Sequence, residues 1–389
     1  MTTKYREIVK DLESRKNNKS DPTLEKTRNA LKELGNPQNS YKTVLVGGTN
    51  GKGSTVEMIS EGLQSKEFRV GTFTSPHLVS CRERTRVNQK KISKDCFVKL
   101  FKEIERFSPG LSFFEFTTVL SYLYFDRKNV DYAVVEVGMG GRLDATNAVD
   151  NKYAVITNIG KDHSAYLGET REEIAREKAG IIPKNGKLVT RENYSSIIKL
   201  AEDRNTEIVK PVKIEQKGSE YYYDEKKFTI PLEGGFQKEN LETAVKTIEM
   251  LEEKIEKPSE AFGNLYWPGR MEKISENPLY IQDGAHNPDA LKKVIPDYPE
   301  DFVCVFNAVK SKNTRKMIEI IESKSSKLYL TRSTVFTAEK PEKIAEHASI
   351  PFEVIESPSE AVKKAKNDGK PVVVTGSLYL LGDLKKTSK

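Results

Sequence analysis

Cysteine is scarce in this chain: Cys81, Cys96 and Cys304 are the whole complement in 389 residues, and no two stand in a CxxC pair. An odd number without that spacing supports neither a disulfide framework nor a zinc site, so three reduced thiols are expected. No apolar run approaches the length of a membrane span, and a membrane partner is not expected. The opening MTTKYREIVKDLESRK lacks the apolar core of a signal peptide, which suggests a cytoplasmic protein. Internal repeats and low-complexity segments are missing, and tryptophan occurs once, at Trp267. The net charge of +7 hints at nucleic acid, but 57 acidic residues are interspersed with 64 basic ones and no basic and aromatic platform alternates. Scattered lysines read as solvated surface, so no nucleic-acid partner is expected; a modest positive bias also suits a small polyanionic substrate.

What is present is the composition of a soluble globular protein, 37% hydrophobic and 31% charged, at a length that suits two domains better than one core. Short β-branched runs at Thr43 to Val46, Arg69 to Thr72, Tyr132 to Val137 and Ala154 to Thr157 alternate with helical patterns such as Asp95 to Phe107 and Phe116 to Phe125. That alternation predicts a parallel α/β sheet. Val209 to Pro231 reads as strands and hairpins, and a helix follows over Gln237 to Lys254. The pattern pauses at Trp267, Pro268 and Gly269, and five further strands begin at Leu279, Phe302, Lys327, Phe352 and Pro371. Two domains are therefore expected, residues 1–267 and 273–389, with a hinge near 265–273.

The most informative stretch is VLVGGTNGKGST, Val44 to Thr55. A strand running into a glycine-rich loop that ends in Lys52 and opens a helix is a phosphate cradle: Gly48, Gly51 and Gly53 let backbone N–H groups turn inward, and Lys52 adds a full charge. The spacing departs from the common P-loop, because Gly53 follows Lys52 and the hydroxyl comes one step later, at Ser54. In the next helix Val56, Ile59 and Leu63 form one apolar stripe, leaving Glu57, Glu61 and Lys66 to face water.

Three residues sit where charge is costly. Glu136 ends the apolar strand AVVEVG, so it is either in a buried ion pair or a magnesium ligand at the edge where open α/β sheets bind ligands. His163 follows the next strand at the same edge, as a hydrogen-bonded loop residue or part of the site. Lys178 projects from the apolar face of EEIAREKAGII; it either snorkels to the surface or serves an active site, paired or modified.

Taken in order, GTNGKGS, TSPHL with ERTRV, FFEFTT, VEVGMGGRLDATN, ITNIGKDH, REKAGIIP, PGR, DGAHNP and VTGSLYLLG resemble folylpolyglutamate synthase and dihydrofolate synthase, within the Mur ligase superfamily. The resemblance runs from about Val44 to Leu384. It implies an α/β protein in which a P-loop NTPase-like parallel-sheet domain is followed by a smaller Rossmann-like domain that closes over ATP and binds glutamate. It also implies roles. Lys52 matches the phosphate lysine, with Gly48, Thr49, Asn50, Gly51, Gly53, Ser54 and Thr55 completing the ATP loop. Glu136 and Ser75 match magnesium ligands, His163 the histidine of a second metal, and Lys178 a lysine carbamylated by CO₂ that helps hold it. Asn240 matches an asparagine near adenine, Arg270 the hinge arginine on the phosphates, and Asp283 and His286 the residues that engage ribose and position the nucleotide. Phe236, Cys81 and Arg82 depart from the family pattern, the latter two in the loop near pterin, and the chain is short enough for trimmed peripheral loops.

The implied reaction is ATP-dependent, Mg²⁺-assisted attachment of L-glutamate to a pterin or folate carboxylate through an acyl phosphate, by a monomer with small-molecule partners. A Mur-type ligase with another acceptor keeps every motif. A P-loop switch or kinase explains the first loop and leaves Glu136, Lys178 and DGAHNP without a purpose.

Overall fold

A computed structural model of the chain describes residues 2–15, 23–252 and 254–387. Its contacts divide it into two units, one running to Ile230 and resuming over Lys238–Leu265, the other taking Pro231–Gln237 and Tyr266 onward. Each is built on its own sheet.

The first unit holds β1 (Lys42–Gly47), β2 (Val70–Phe73), β3 (Thr85–Val87), β4 (Lys90–Lys91), β5 (Tyr132–Glu136), β6 (Tyr153–Ile156), β7 (Lys187–Thr190) and β8 (Glu207–Val209) in the order β4-β3-β2-β5-β1-β6-β7-β8. β1, β2 and β5 are short runs of apolar, mostly branched residues, buried almost throughout because helices cover both faces. The helix Phe113–Arg127 starts at a capping box in which Ser112 and Glu115 exchange hydrogen bonds, and most of its length is buried against the sheet. The expected parallel sheet runs from β2 through β5, β1, β6 and β7 to β8, and beyond β2 it gains β3 and β4, an antiparallel edge that the expectation did not include. They are too short and too polar to show an apolar run. A small antiparallel sheet, β9 (Glu215–Lys217), β10 (Glu220–Tyr223) and β11 (Lys226–Thr229), occupies the region read as hairpins.

The helix after β1, Lys52–Gln64, corrects an expectation. Glu57 does not face water; it is buried and pairs with Arg86 of β3 at 2.7 Å, while Glu61 and Lys66 are half-buried. The helix has no broad wet side. It packs on β1, β2 and β5, the helix Pro258–Phe262 packs against it as well, and Gly62 fits tightly against Ile248 of the helix Gln237–Leu251.

The second unit holds β12 (Glu272–Glu276), β13 (Leu279–Gln282), β14 (Phe302–Phe306), β15 (Ser325–Leu330), β16 (Phe352–Val354) and β17 (Val372–Thr375), ordered β12-β13-β17-β14-β15-β16. The five expected strands pair in parallel, and β12 joins as an antiparallel edge. Its alternating polar sequence EKISE had offered no apolar run. Both units are α/β.

Removing one member of the Glu57–Arg86 pair strands a buried charge. Glu57→Ala or Arg86→Ala is expected to lose about 3–5 kcal/mol of stability. The joint change Glu57→Leu with Arg86→Met should lose distinctly less than the two singles summed, as read by urea denaturation of all three variants.

Candidate active site

In the first sheet Val46 lies level with Glu136 and Gly47 with Ile156, so the segments leaving β5, β1 and β6 emerge side by side. From β1 the chain passes to β2 on one side, and β6 lies on the other. The carboxyl edge at such a reversal is where open α/β sheets bind ligands.

The loop after β1 is fixed by its neighbours. Gly51, at φ 80°, caps the helix Lys52–Gln64, and Gly48 stands at φ 141°. A Cβ on Gly48 would collide with Thr157 Oγ1, and one on Gly51 with Asn240 Oδ1, so only glycine fits either place. Thr49 N–H donates to Asn158 O (2.9 Å), and the Thr49 hydroxyl accepts from Gly160 N–H (2.9 Å). Asn158 Oδ1 accepts from Asn50 N–H (3.0 Å), while Asn158 Nδ2 (2.9 Å) and Thr157 Oγ1 (2.7 Å) donate to Asn50 O. Lys52 Nζ folds back onto Thr49 O at 3.1 Å. Ser54 and Thr55 are buried at the start of the helix, and Thr55 Oγ1 has no hydrogen-bond partner among the described residues. Asn240 thus packs against this loop.

Lys178 does not snorkel. It is 4% exposed, and its Nζ donates to Gly48 O at 2.8 Å. Burial, reinforced by the Lys52 charge, lowers its pKa to about 7, against the pull of Asp162 and Asp144. Glu136 is 5% exposed and accepts the Ser75 N–H at 2.8 Å, which brings two oxygen-bearing side chains to one strand end. His163 adopts a left-handed conformation, φ 53°, before the short helix Ser164–Leu167, with Nε2 3.9 Å from Asp162 Oδ2. Among the described residues no three His, Cys, Asp or Glu side chains gather into a cage. Magnesium does not require one, since it is commonly held by one or two protein oxygens together with substrate phosphates and water, and Glu136 with Ser75 fits that donor set.

In the second unit Arg270, Asp283 and His286 come together. Asp283 is buried; its Oδ2 accepts from Met271 N–H (2.9 Å), and its Oδ1 from Ala285 N–H (2.9 Å) and the Tyr298 hydroxyl (3.2 Å). Burial raises its pKa, opposed by Arg270 and these donors. The carboxylate ties the PGR turn to the DGAHNP turn. Gly284 lies directly beneath Arg270 Nη1, and His286 Nδ1 is 2.8 Å from Gly284 O.

Residues 46–248 match the Mur ligase middle domain, and residues 269–378 match the Mur ligase glutamate ligase domain. The folylpolyglutamate synthase of Lacticaseibacillus casei is 31% identical over 396 residues, covering 92% of each chain. The chain belongs to the folylpolyglutamate and dihydrofolate synthase family of Mur ligases. A probable bifunctional folylpolyglutamate synthase/dihydropteroate synthase of Haloferax volcanii is 33% identical over 98% of this chain, which spans 50% of that longer relative. The bifunctional folylpolyglutamate synthase/dihydrofolate synthase of Yersinia pestis, complexed with AMPPNP and a manganese ion, superposes with a TM-score of 0.90 at 26% identity, over 99% of this chain and 98% of the other.

Sequence reasoning about this Mur ligase passed over Asp144, Thr157, Asn158 and Asp162. Asp144 accepts from Met139 N–H (2.8 Å) and the Thr146 hydroxyl (2.6 Å), fixing the turn after β5. All four lie inside quoted motifs, so the signal was there; a side chain that fastens one loop to another leaves no periodicity. Gly48→Ala is expected to destabilise the protein by about 1–3 kcal/mol, combining backbone strain with the clash on Thr157. Gly35→Ala, also at positive φ but with open space around it, should lose less. Thermal melts of the two variants make the comparison.

Proposed function

We propose that the chain is an ATP-dependent amide ligase that joins L-glutamate to the carboxylate of a pteroate or folate. The observation that carries this reading is a prefastened phosphate loop level with a buried carboxylate, Glu136, and a buried amine, Lys178, in a chain of this family. The nucleotide and metal in the Yersinia relative support ATP and Mg²⁺.

In this reading the acceptor carboxylate attacks the γ-phosphorus, ADP leaves, and the acyl phosphate is taken by the amine of glutamate with release of phosphate. Carboxylate and triphosphate repel each other, so the chain's cations must gather at the phosphates. Lys52 and the N–H groups at the helix start, from Gly51 to Ser54, hold the phosphates, Gly48, Thr49, Asn50 and Thr55 shape the loop around them, and Asn240, beside Gly51, serves the adenine end. Glu136 and Ser75 hold Mg²⁺, with His163 and Lys178 at a second metal; bound metal neutralises charge on the transferring group. Arg270, Asp283 and His286 serve the nucleotide from the second unit, Asp283 by holding the other two in place. Residues 1–267 and 273–389 act as the ATP-binding and glutamate-binding domains. A cytoplasmic monomer with small-molecule partners and no nucleic acid completes the reading.

Product mass spectrometry after incubation with ATP, glutamate and either dihydropteroate or tetrahydrofolate tests the reaction. Lys52→Ala and Glu136→Ala are each expected to lower glutamate-dependent ADP formation by about 10² to 10³ while leaving the circular dichroism spectrum unchanged. Near wild-type turnover in either folded variant removes its assigned role.

Lys178 is proposed to become a carbamate: the neutral amine adds to CO₂ and releases a proton, replacing a cation with an anion suited to a metal. Its pKa of about 7 supports this, because the neutral form is already abundant near neutral pH. The population of neutral amine rises with pH through that value, so a carbamate carbon signal from ¹³C-bicarbonate should grow from pH 6 to pH 8. It should be missing in Lys178→Met. A signal equal in both proteins, or none at any pH in the active enzyme, rejects the modification.

A further inference from the structure

The loop after β2 begins at Ser75 and turns through Leu78–Ser80 into the 3₁₀ helix Cys81–Arg84. Its shape depends on one acid. Glu83 Oε2 accepts from Leu78 N–H (2.9 Å) and Val79 N–H (3.2 Å), and Oε1 from Ser80 N–H (3.1 Å). Ser75, at the start of the loop, is fastened to Glu136. The far end of the loop rests on a helix that precedes every motif quoted above.

That helix, Thr2–Ser14, buries Tyr5, Ile8 and Leu12 in the main core of the first unit and packs on the helices Lys94–Phe107 and Phe113–Arg127. The Tyr5 ring meets Phe97 edge-on at 5.3 Å, which fixes the direction of its hydroxyl. The hydroxyl lies 3.2 Å from Cys81 Sγ and 3.3 Å from Ser80 Oγ, and the Arg82 and Lys94 cations stand 6.0 Å from the ring centre. At the other end of the helix Arg15 bridges Asp11 and Glu105, both at 2.7 Å, and donates to Leu111 O. The helix is therefore anchored at both ends to the elements around the loop. Cys81 is buried at 3% exposure, and burial raises its thiol pKa. The hydrogen-bonding partners of Tyr5 thus include Cys81, one of the two residues at which this loop departs from the family pattern.

We propose that the N-terminal helix, through the Tyr5 hydroxyl, is a positioning element for the acceptor side of the site. It holds Ser80 and Cys81 so that the segment from Leu78 to Arg84 keeps one shape, while Ser75 is held separately by Glu136. This rests on the ligase reading, in which that loop lies beside the pterin-bearing acceptor. Tyr5 touches no substrate in this account; it acts through the loop.

Tyr5→Phe keeps the ring and its packing and deletes only the hydroxyl. Two measurements follow in the full chain. The first is the KM for acceptor and for ATP: the loss of one hydrogen bond is expected to raise the acceptor KM about threefold to tenfold and to leave the ATP KM in place. The second needs no turnover. In a Cys96→Ser background, with Cys304 in the core of the second unit, the labelling rate of Cys81 by a maleimide reports how tightly the helix covers the loop. Labelling should be slow with Tyr5 and several-fold faster with Phe. An unchanged acceptor KM in an active Tyr5→Phe enzyme, or acceptor and ATP KM rising together, overturns the positioning role whatever the labelling does. Equal labelling rates overturn the clamp itself. If the parent enzyme forms no ADP in response to glutamate with either acceptor, the ligase reading falls first and the acceptor assignment falls with it.

Discussion

The bond from Lys178 Nζ to Gly48 O is the constraint on which the first unit's site is organised. An amine carried into an apolar interior is costly, and its cost falls only if a strong acceptor meets it there. Gly48 O is that acceptor, at the point where β1 gives way to the phosphate loop. The same bond joins two segments of the fold. It fastens the loop to the helix Arg171–Ala179, whose inward residues otherwise are Ile174, Ala175 and Ala179, and it sets a low-pKa amine close enough to feel the charges of Lys52 and Asp162. Remove that lysine, and Gly48 O loses its buried donor while the loop loses its tie to the helix.

The loop's roof comes from β6. Thr157 and Asn158 close on Asn50, and Gly160 closes on Thr49, so the path of the loop into the helix Lys52–Gln64 is set before any phosphate arrives. Preorganised donors act on charge without reorganising as it develops, and that is their use in phosphoryl transfer. The second unit repeats the device with a carboxylate instead of an amine. Asp283, one residue beyond β13, collects two backbone N–H groups and the Tyr298 hydroxyl, and so locks the turns that carry Arg270 and His286. In both units a buried polar group, satisfied by loop backbone, holds the groups that face outward.

Much of this was legible in the sequence. Apolar strands ending in glycine, glutamate or a short polar string marked β1, β5 and β6 and put Lys52, Glu136 and His163 at one sheet edge, while only the family resemblance implied that Lys178 joins them. The oddity of Lys178 was readable because a lysine at an apolar helical position breaks a period. Glu57 broke none: it lies off the Val56, Ile59, Leu63 stripe, where acids usually meet water, and only Arg86 arriving from β3 makes it interior. β3 itself is three residues long, so the strand that overturned the expectation was as invisible as the pair it brought.

The same reason explains why the N-terminal helix escaped notice. Its pattern of Tyr5, Ile8 and Leu12 reads as an ordinary amphipathic helix, and the consequence lies in the one polar atom that pattern carries inward. A tyrosine buries its ring for packing and must place its hydroxyl somewhere. Here that place is the loop between Ser75 and Arg84, at Ser80 and Cys81. Motifs name the residues at the sheet edge. The groups that decide how those are held sit one layer out, on elements whose local sequence says only that they are buried, and this edge of the sheet is shaped as much by them as by the residues the motifs display.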